Sequence, residues 1–191
     1  MRKIILQNGV SVDGFFEGPG RDISWHLVDE ELHQHMNDEL AAMGGFIAGR
    51  VTHELMAGYW PEADQNPDSS PAEREFAGIW RNMPKFVFSR TLTEAPWNTT
   101  VLADVVPEQI RELKAQAGGD LVMSGADLAA TFLRHGLIDE FRFYVHPVVV
   151  GEGRRVLDSP DFKTDLTLAE TRVFGNGVVL LRYERVAPAA S

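Results

Sequence analysis

Short apolar runs alternate with helix-period segments through most of this chain, and that alternation limits the folds open to it. Ile4–Leu6 with Val10 and Val12, Phe46–Ala48, Lys85–Phe88, Thr100–Leu102, Leu121–Met123 and Phe141–Val145 read as strands. Between them lie helical segments. Leu32, Met36, Leu40 and Met43 fall on one apolar stripe before Gly44-Gly45, and Pro71–Trp80 and Pro107–Ala117 read as further helices. Gly49-Arg50-Val51-Thr52 and Ser124-Gly125 open two more, the second closing at Gly136. Strands joined through helices run parallel, with helices packed on both faces of the sheet. Near the end the pattern changes. Leu166–Phe174 and Val178–Arg185 flank Gly175-Asn176-Gly177, a hairpin signal that adds antiparallel strands. The expectation is a three-layer α/β/α domain over residues 1–186, with a mixed, mostly parallel sheet and a frayed tail at 187–191. Phe15–Trp25, rich in glycine, and Pro61–Ser70, polar and acidic, read as loops.

In a parallel sheet, ligands gather where strands end and helices begin. Three such junctions stand out: Gly49-Arg50-Val51-Thr52, Ser89-Arg90-Thr91 and Ser124-Gly125-Ala126-Asp127-Leu128. Helix N-termini attract phosphate through free N–H groups, arginines add forked bonds, and Gly125 admits a close backbone approach. Taken singly, Gly49-Arg50 before a helix also reads as an ordinary turn with a solvated arginine, and Ser89-Arg90-Thr91 alone is a weaker signal still. Neither a GxGxxG fingerprint nor a P-loop occurs.

The order of these motifs resembles the dihydrofolate reductase superfamily, and most closely the C-terminal reductase domain of the bifunctional riboflavin-biosynthesis deaminase/reductase. The resemblance rests on Ser11-Val12-Asp13-Gly14, Trp25 before the first helix, Gly49–Glu54, Lys85–Leu92, Ser124–Ala129 and His146–Gly153. It implies an NADPH-dependent reductase of a small heterocycle. Val10, Ser11 and Asp13 would line the nicotinamide, below a mobile loop. Gly49, Arg50 and Thr52 would hold the diphosphate, with Ser124, Gly125, Ala126, Asp127 and Leu128 beneath it. Ser89, Arg90 and Thr91 would meet the adenosine 2′-phosphate. Trp25 and Asp13 would contact substrate. By its count from Trp25, Glu30 would assist protonation, with Asp29 and Glu31 adjacent; acids in a first helical turn also suit the helix dipole without any catalysis. Two positions depart from folate reductases: Ser124 replaces the first glycine of a pair, and His53 replaces an aromatic residue. A non-catalytic NADP(H)-binding or regulatory module and a pterin or folate reductase are the alternative readings.

Composition narrows the partners. A net charge of −10 is opposed to unspecific nucleic-acid binding. No run approaches the length of a membrane span, and the opening residues lack the apolar stretch of a signal peptide. The chain has no cysteine, which suits a reducing compartment, so a cytoplasmic location is expected. The six histidines lack an HExxH spacing, and no metal is expected. His146, ahead of Pro147, reads as structural. The apolar Phe141–Val145 strand and the final hairpin suggest edges that pair across a homodimer.

Overall fold

A computed structural model describes residues 1–157 and 163–186; the expected tail at 187–191 lies outside them. The strands are β1 (Ile4–Ser11), β2 (Phe15–Glu17), β3 (Gly45–Gly49), β4 (Lys85–Phe88), β5 (Thr99–Leu102), β6 (Leu121–Met123), β7 (Glu140–His146), β8 (Arg154–Arg155), β9 (Leu166–Val173) and β10 (Val179–Arg185). The α-helices are α1 (Glu30–Ala41), α2 (Arg50–Ala57), α3 (Pro71–Asn82), α4 (Pro107–Ala115) and α5 (Ala126–Arg134).

Eight strands form one sheet in the order β5-β4-β3-β6-β1-β7-β10-β9. The first six are mutually parallel, and β10 pairs antiparallel with both β7 and β9. Alternation along each strand divides the apolar side chains between two layers. Ile4, Leu6, Leu121, Met123 and Phe141 pack with Ile110, Leu113, Phe132 and Leu133 from α4 and α5. On the other face, Val122 joins Leu40 of α1 and Phe76 and Trp80 of α3, while Tyr144 and Leu180 meet Leu32. This is the three-layer arrangement expected from the alternation of strands and helices.

Local chemistry explains several element ends. Asp29 caps α1 by accepting the Leu32 N–H at 3.0 Å. Ser70 and Glu73 form a reciprocal capping box at α3, followed by Pro71 at its first position.

Three expectations change. The glycine-rich segment after Gly14 is not all loop: β2 pairs antiparallel with β8, and a 3₁₀ turn covers Pro19–Arg21. The partner strand lies some 140 residues further along the chain, beyond the reach of local pattern. Residues Trp60–Gln65 form a 3₁₀ helix with Pro61 and Ala63 buried, because Arg81 of α3 binds Asp64 and the Pro61 carbonyl. The Phe141–Val145 strand is no edge. It lies in β7, covered by β1 and β10, so among the described strands β5 and β9 are the borders of this sheet.

Candidate functional site

β1, β3, β4 and β6 run parallel, so their carboxyl ends and the helices that follow share one side of the sheet. Two cavities open there. The first, about 590 Å³, lies against the starts of α2 and α5 and is lined by Gly49–Thr52, Ser124–Leu128, Gln7, Asn8 and Tyr144. The second, about 660 Å³, runs between the sheet and α1, α2 and α3, and is lined by Asp29, Glu30, His33, Trp60, Phe76 and Trp80. They meet at Gln7, Gly9, His26, Thr52 and Ser124, which line both.

The first cavity is built around two glycine-capped helices. Neither Gly49 nor Gly125 supplies a capping side chain, so the first N–H groups of α2 and α5 have no side-chain acceptor. Gly125 sits at φ 101°, in the region that favours glycine, and a Cβ there would approach the Thr52 hydroxyl to 3.0 Å. A Cβ on Gly49 would meet nothing within 4 Å. Ser124 donates to the Asn8 side-chain oxygen at 2.8 Å, tying this junction to β1.

Four polar atoms on lining residues are buried without a partner: Gln7 Oε1, Asn8 Nδ2, His26 Nε2 and Tyr144 OH. Burying such groups unpaired costs about 1–3 kcal/mol each. Their concentration here, beside two bare helix N-termini, suits a ligand that carries hydrogen-bonding groups at one end and phosphates at the other. These residues therefore fit a phosphorylated dinucleotide.

Two of the three arginines that line this cavity, Arg50 and Arg154, are already engaged. Arg50 donates to both carboxylate oxygens of Glu54 at 2.9 and 2.7 Å. Arg154 binds Asp127 and comes within 3.6 Å of Glu17. Arg90, beyond the end of β4, is exposed and holds Asp104 at 2.6 Å, while Ser89 accepts the N–H groups of Thr91 and Leu92. None of Ser89, Arg90 and Thr91 lines either cavity.

Nor do Val10, Ser11, Asp13 or Trp25. Val10 and Ser11 are buried within β1. Ser11 donates to Asp13 at 2.6 Å, and Asp13 accepts the Val150 and Gly151 N–H groups at 3.1 and 2.8 Å. The Ser11 hydroxyl first, then these amides, hold the Asp13 carboxyl down at about 2. The pair thus ties the chain after β1 to the segment after β7. Trp25 donates to the Asp22 carbonyl and packs edge-on against His26 and His146.

The three acids of the first helical turn separate. Asp29 and Glu30 line the second cavity. Glu31 points to the C-terminal hairpin, accepting the Gly175 N–H at 3.0 Å and pairing with Arg172 at 3.5 Å.

Several lining residues carried no functional signal in the sequence. His26 and His146 stack at 4.7 Å and 9°, and His146 Nδ1 accepts the Leu27 N–H at 3.0 Å. Burial pulls His146 down to about 4 and lowers His26 as well. Lys85, at the start of β4, extends under the second cavity, where burial pulls its ammonium down to about 8. Among the described residues no cluster of three metal-ligating side chains occurs, and no helix is long and apolar enough to cross a membrane.

The sheet order, the layers and the paired cavities at the carboxyl edge define a dihydrofolate reductase-like α/β domain. The chain belongs to the RibD C-terminal domain family, whose model matches residues 2–180. A Bacillus subtilis (strain 168) protein, YyaP, is 34% identical over 183 residues, 95% of this chain and 94% of that protein. The fold is similar to a Thermotoga maritima diaminohydroxyphosphoribosylaminopyrimidine deaminase/5-amino-6-(5-phosphoribosylamino)uracil reductase, with TM-score 0.66 and 16% identity over 97% of this chain and 57% of that one. It is also similar to Enterococcus faecalis dihydrofolate reductase complexed with NADP(H), with TM-score 0.62 and 13% identity over 96% of both chains.

Proposed function

We propose that this protein is an NADPH-dependent reductase of a small nitrogen heterocycle, working in the cytoplasm and related in activity to the reductase half of the riboflavin enzymes. The observation that carries the reading is the junction of the two cavities. A cradle of two bare helix N-termini meets an apolar pocket at Gln7, Gly9, Thr52 and Ser124.

In this reading the N–H groups at Gly49–Thr52 and Gly125–Leu128 hold the cofactor diphosphate. The unpartnered atoms of Gln7 and Asn8 take the polar end of the nicotinamide half. Arg90 turns from Asp104 toward the 2′-phosphate, beside Ser89 and Thr91. When bound, NADPH supplies the hydride, and the protein's part is to orient and enclose the reactants. Substrate occupies the second cavity, where Trp60, Phe76 and Trp80 exclude water. Glu30, at its rim, delivers the accompanying proton.

Mixing the protein with NADPH should quench its tryptophan fluorescence, since Trp60 and Trp80 line the joined cavities. Adding aminopyrimidine, pterin or ribosylaminouracil compounds should then oxidise NADPH. No quenching would defeat the cofactor assignment. Quenching without oxidation across all three classes would leave a binding module and defeat the reductase.

A further inference from the structure

Two stacked imidazoles, His26 and His146, stand where the cavities meet. We infer that His26 accepts an N–H from a primary carboxamide through Nε2, held in place by the ring of His146, and that this bond is lost when the pair takes up a proton. This rests on the first cavity being the cofactor site, where nicotinamide would bring such a group.

Alternation puts Gln7 and Gly9 on one face of β1, and on β7 Tyr144 stands beside Gly9 and His146 beside Ser11. Gly9 leaves that face bare. A Cβ there would meet His26 Cε1 at 2.9 Å and His146 Nε2 at 3.0 Å, so both rings sit directly on the strand. His146 Nδ1 accepts the Leu27 N–H at 3.0 Å, which ties down the residue after His26. His26 is then fixed between its stack on His146 and the edge-on ring of Trp25 at 4.2 Å. It donates to the Phe16 carbonyl, and its Nε2 is buried with no partner. The donor is therefore Nδ1, and the neutral ring leaves Nε2 as a bare acceptor.

Two further buried atoms on this side of the sheet line the first cavity without a partner, Gln7 Oε1 and the Tyr144 hydroxyl. Burial raises the pKa of that hydroxyl, so it keeps its proton and is a donor. Two acceptors and one donor are the complement of a primary carboxamide, which offers two N–H groups and one carbonyl. A carboxylate has no N–H to give and would set its charge against both acceptors.

A proton on Nε2 turns His26 from acceptor to donor and repels the carboxamide N–H. Burial lowers the pKa of His26 from its usual 6.5, against the raising effect of the Phe16 carbonyl and Asp22. Burial, then the neighbouring His26, pulls His146 down to about 4, and a proton on its Nδ1 would displace the Leu27 N–H. Most other charged groups lining these cavities are matched elsewhere. Glu17 and Asp127 meet Arg154, and Arg50 meets Glu54. Asp29 and Glu73 serve helix caps, and Lys85 meets two carbonyls. Arg21, Glu30, His33 and His53 complete the set. Near neutrality both stacked rings are thus uncharged and the acceptor is ready.

Fluorescence titration of the full chain from about pH 8 to about pH 5 tests this. The probes are NADP⁺, which survives acid, and its 3-acetylpyridine analogue, which keeps the carbonyl and replaces the amide nitrogen by a methyl group. Wild-type protein should bind NADP⁺ about tenfold tighter than the analogue at the upper pH, the scale of a lost hydrogen bond. That ratio should shrink toward one as pH falls below 6.5; taking a ratio cancels the titration of the shared phosphates. His26→Phe keeps a stacking ring without an acceptor and should bind both probes alike at every pH. His26→Gln, with a non-titrating acceptor near the place of Nε2, should recover part of the ratio and hold it at low pH. If His26→Phe does not fold, the pH-independent ratio of His26→Gln decides. A wild-type ratio of one, or one that does not change with pH, overturns the inference and leaves the cofactor reading standing. Nicotinamide alone is the last probe. Its His26-dependent binding, with no binding of either dinucleotide, defeats the cofactor reading and keeps the carboxamide site; failure of all three probes overturns both.

Discussion

Replacing Gly125 with alanine probes the junction on which the cofactor reading depends. The residue holds φ 101° and ψ 136°, and an added Cβ would lie 3.0 Å from Thr52 Oγ1. An L side chain in such a backbone region costs about 1–3 kcal/mol. Reduced freedom of the unfolded chain returns about 0.4–1 kcal/mol. The net loss is then on the order of 1–2 kcal/mol, or a Tm about 2–8 °C lower for a domain of this size. The methyl also wedges apart the starts of α5 and α2, so NADPH affinity should fall about tenfold or more, the scale of a lost charge-assisted hydrogen bond. Gly49→Ala separates the two effects. Its φ is −77° and a Cβ there has open space, so its stability cost is only that of a poorer N-cap, below about 1 kcal/mol. Its methyl still projects into the cradle. Calorimetric melting and NADPH titration of both variants decide the matter. An unchanged Tm for Gly125→Ala would refute the strained junction. Unchanged NADPH affinity in both variants would refute the diphosphate cradle.

Arg90→Ala should remove about 1.5–3 kcal/mol of preference for NADPH over NADH; equal weakening of both cofactors in calorimetry would exclude a 2′-phosphate role. Glu30→Gln should slow single-turnover NADPH oxidation about a hundredfold, as for a positioned acid, whereas Glu31→Gln should leave it unchanged because Glu31 serves Gly175 and Arg172. The opposite pattern would reassign the acid. His146 is held near 4 by burial against a usual 6.5, so the unfolded chain takes up the proton first as pH falls. Stability should therefore be lost from about pH 6.5 down to about 4, by up to about 3 kcal/mol from this group. His146→Asn, which keeps an acceptor for the Leu27 N–H, should flatten that limb in urea melts; an unaltered slope would place the titration elsewhere.

The sequence by itself determined the alternation of strands and helices, because strand and helix periods are written in neighbouring residues. It also marked the βα junctions at Gly49 and Gly125 and the hairpin at Gly175-Asn176-Gly177; at Gly125 and Gly177 a positive φ selects glycine. Pro71–Trp80 likewise read as a helix, and the Ser70–Glu73 capping box that starts α3 is a local contact three residues apart.

What the tertiary structure alone decided depends on contacts between distant residues. Consecutive helix positions lie about 100° apart, so Asp29-Glu30-Glu31 read as one acidic turn until packing sent Glu30 to the cavity and Glu31 to the hairpin. The pairing of β2 with β8 and the stack of His26 on His146 join segments more than a hundred residues apart. Ser11 and Asp13 occupy the place of ligand contacts in the motif, yet folding turns them toward each other and the backbone beyond β7. Lys85 reads only as a strand residue; the Met83 and Trp97 carbonyls that its ammonium meets are brought to it by the fold. Periodicity records which face a residue occupies, whereas the partner waiting on that face is set by the packing of the whole chain.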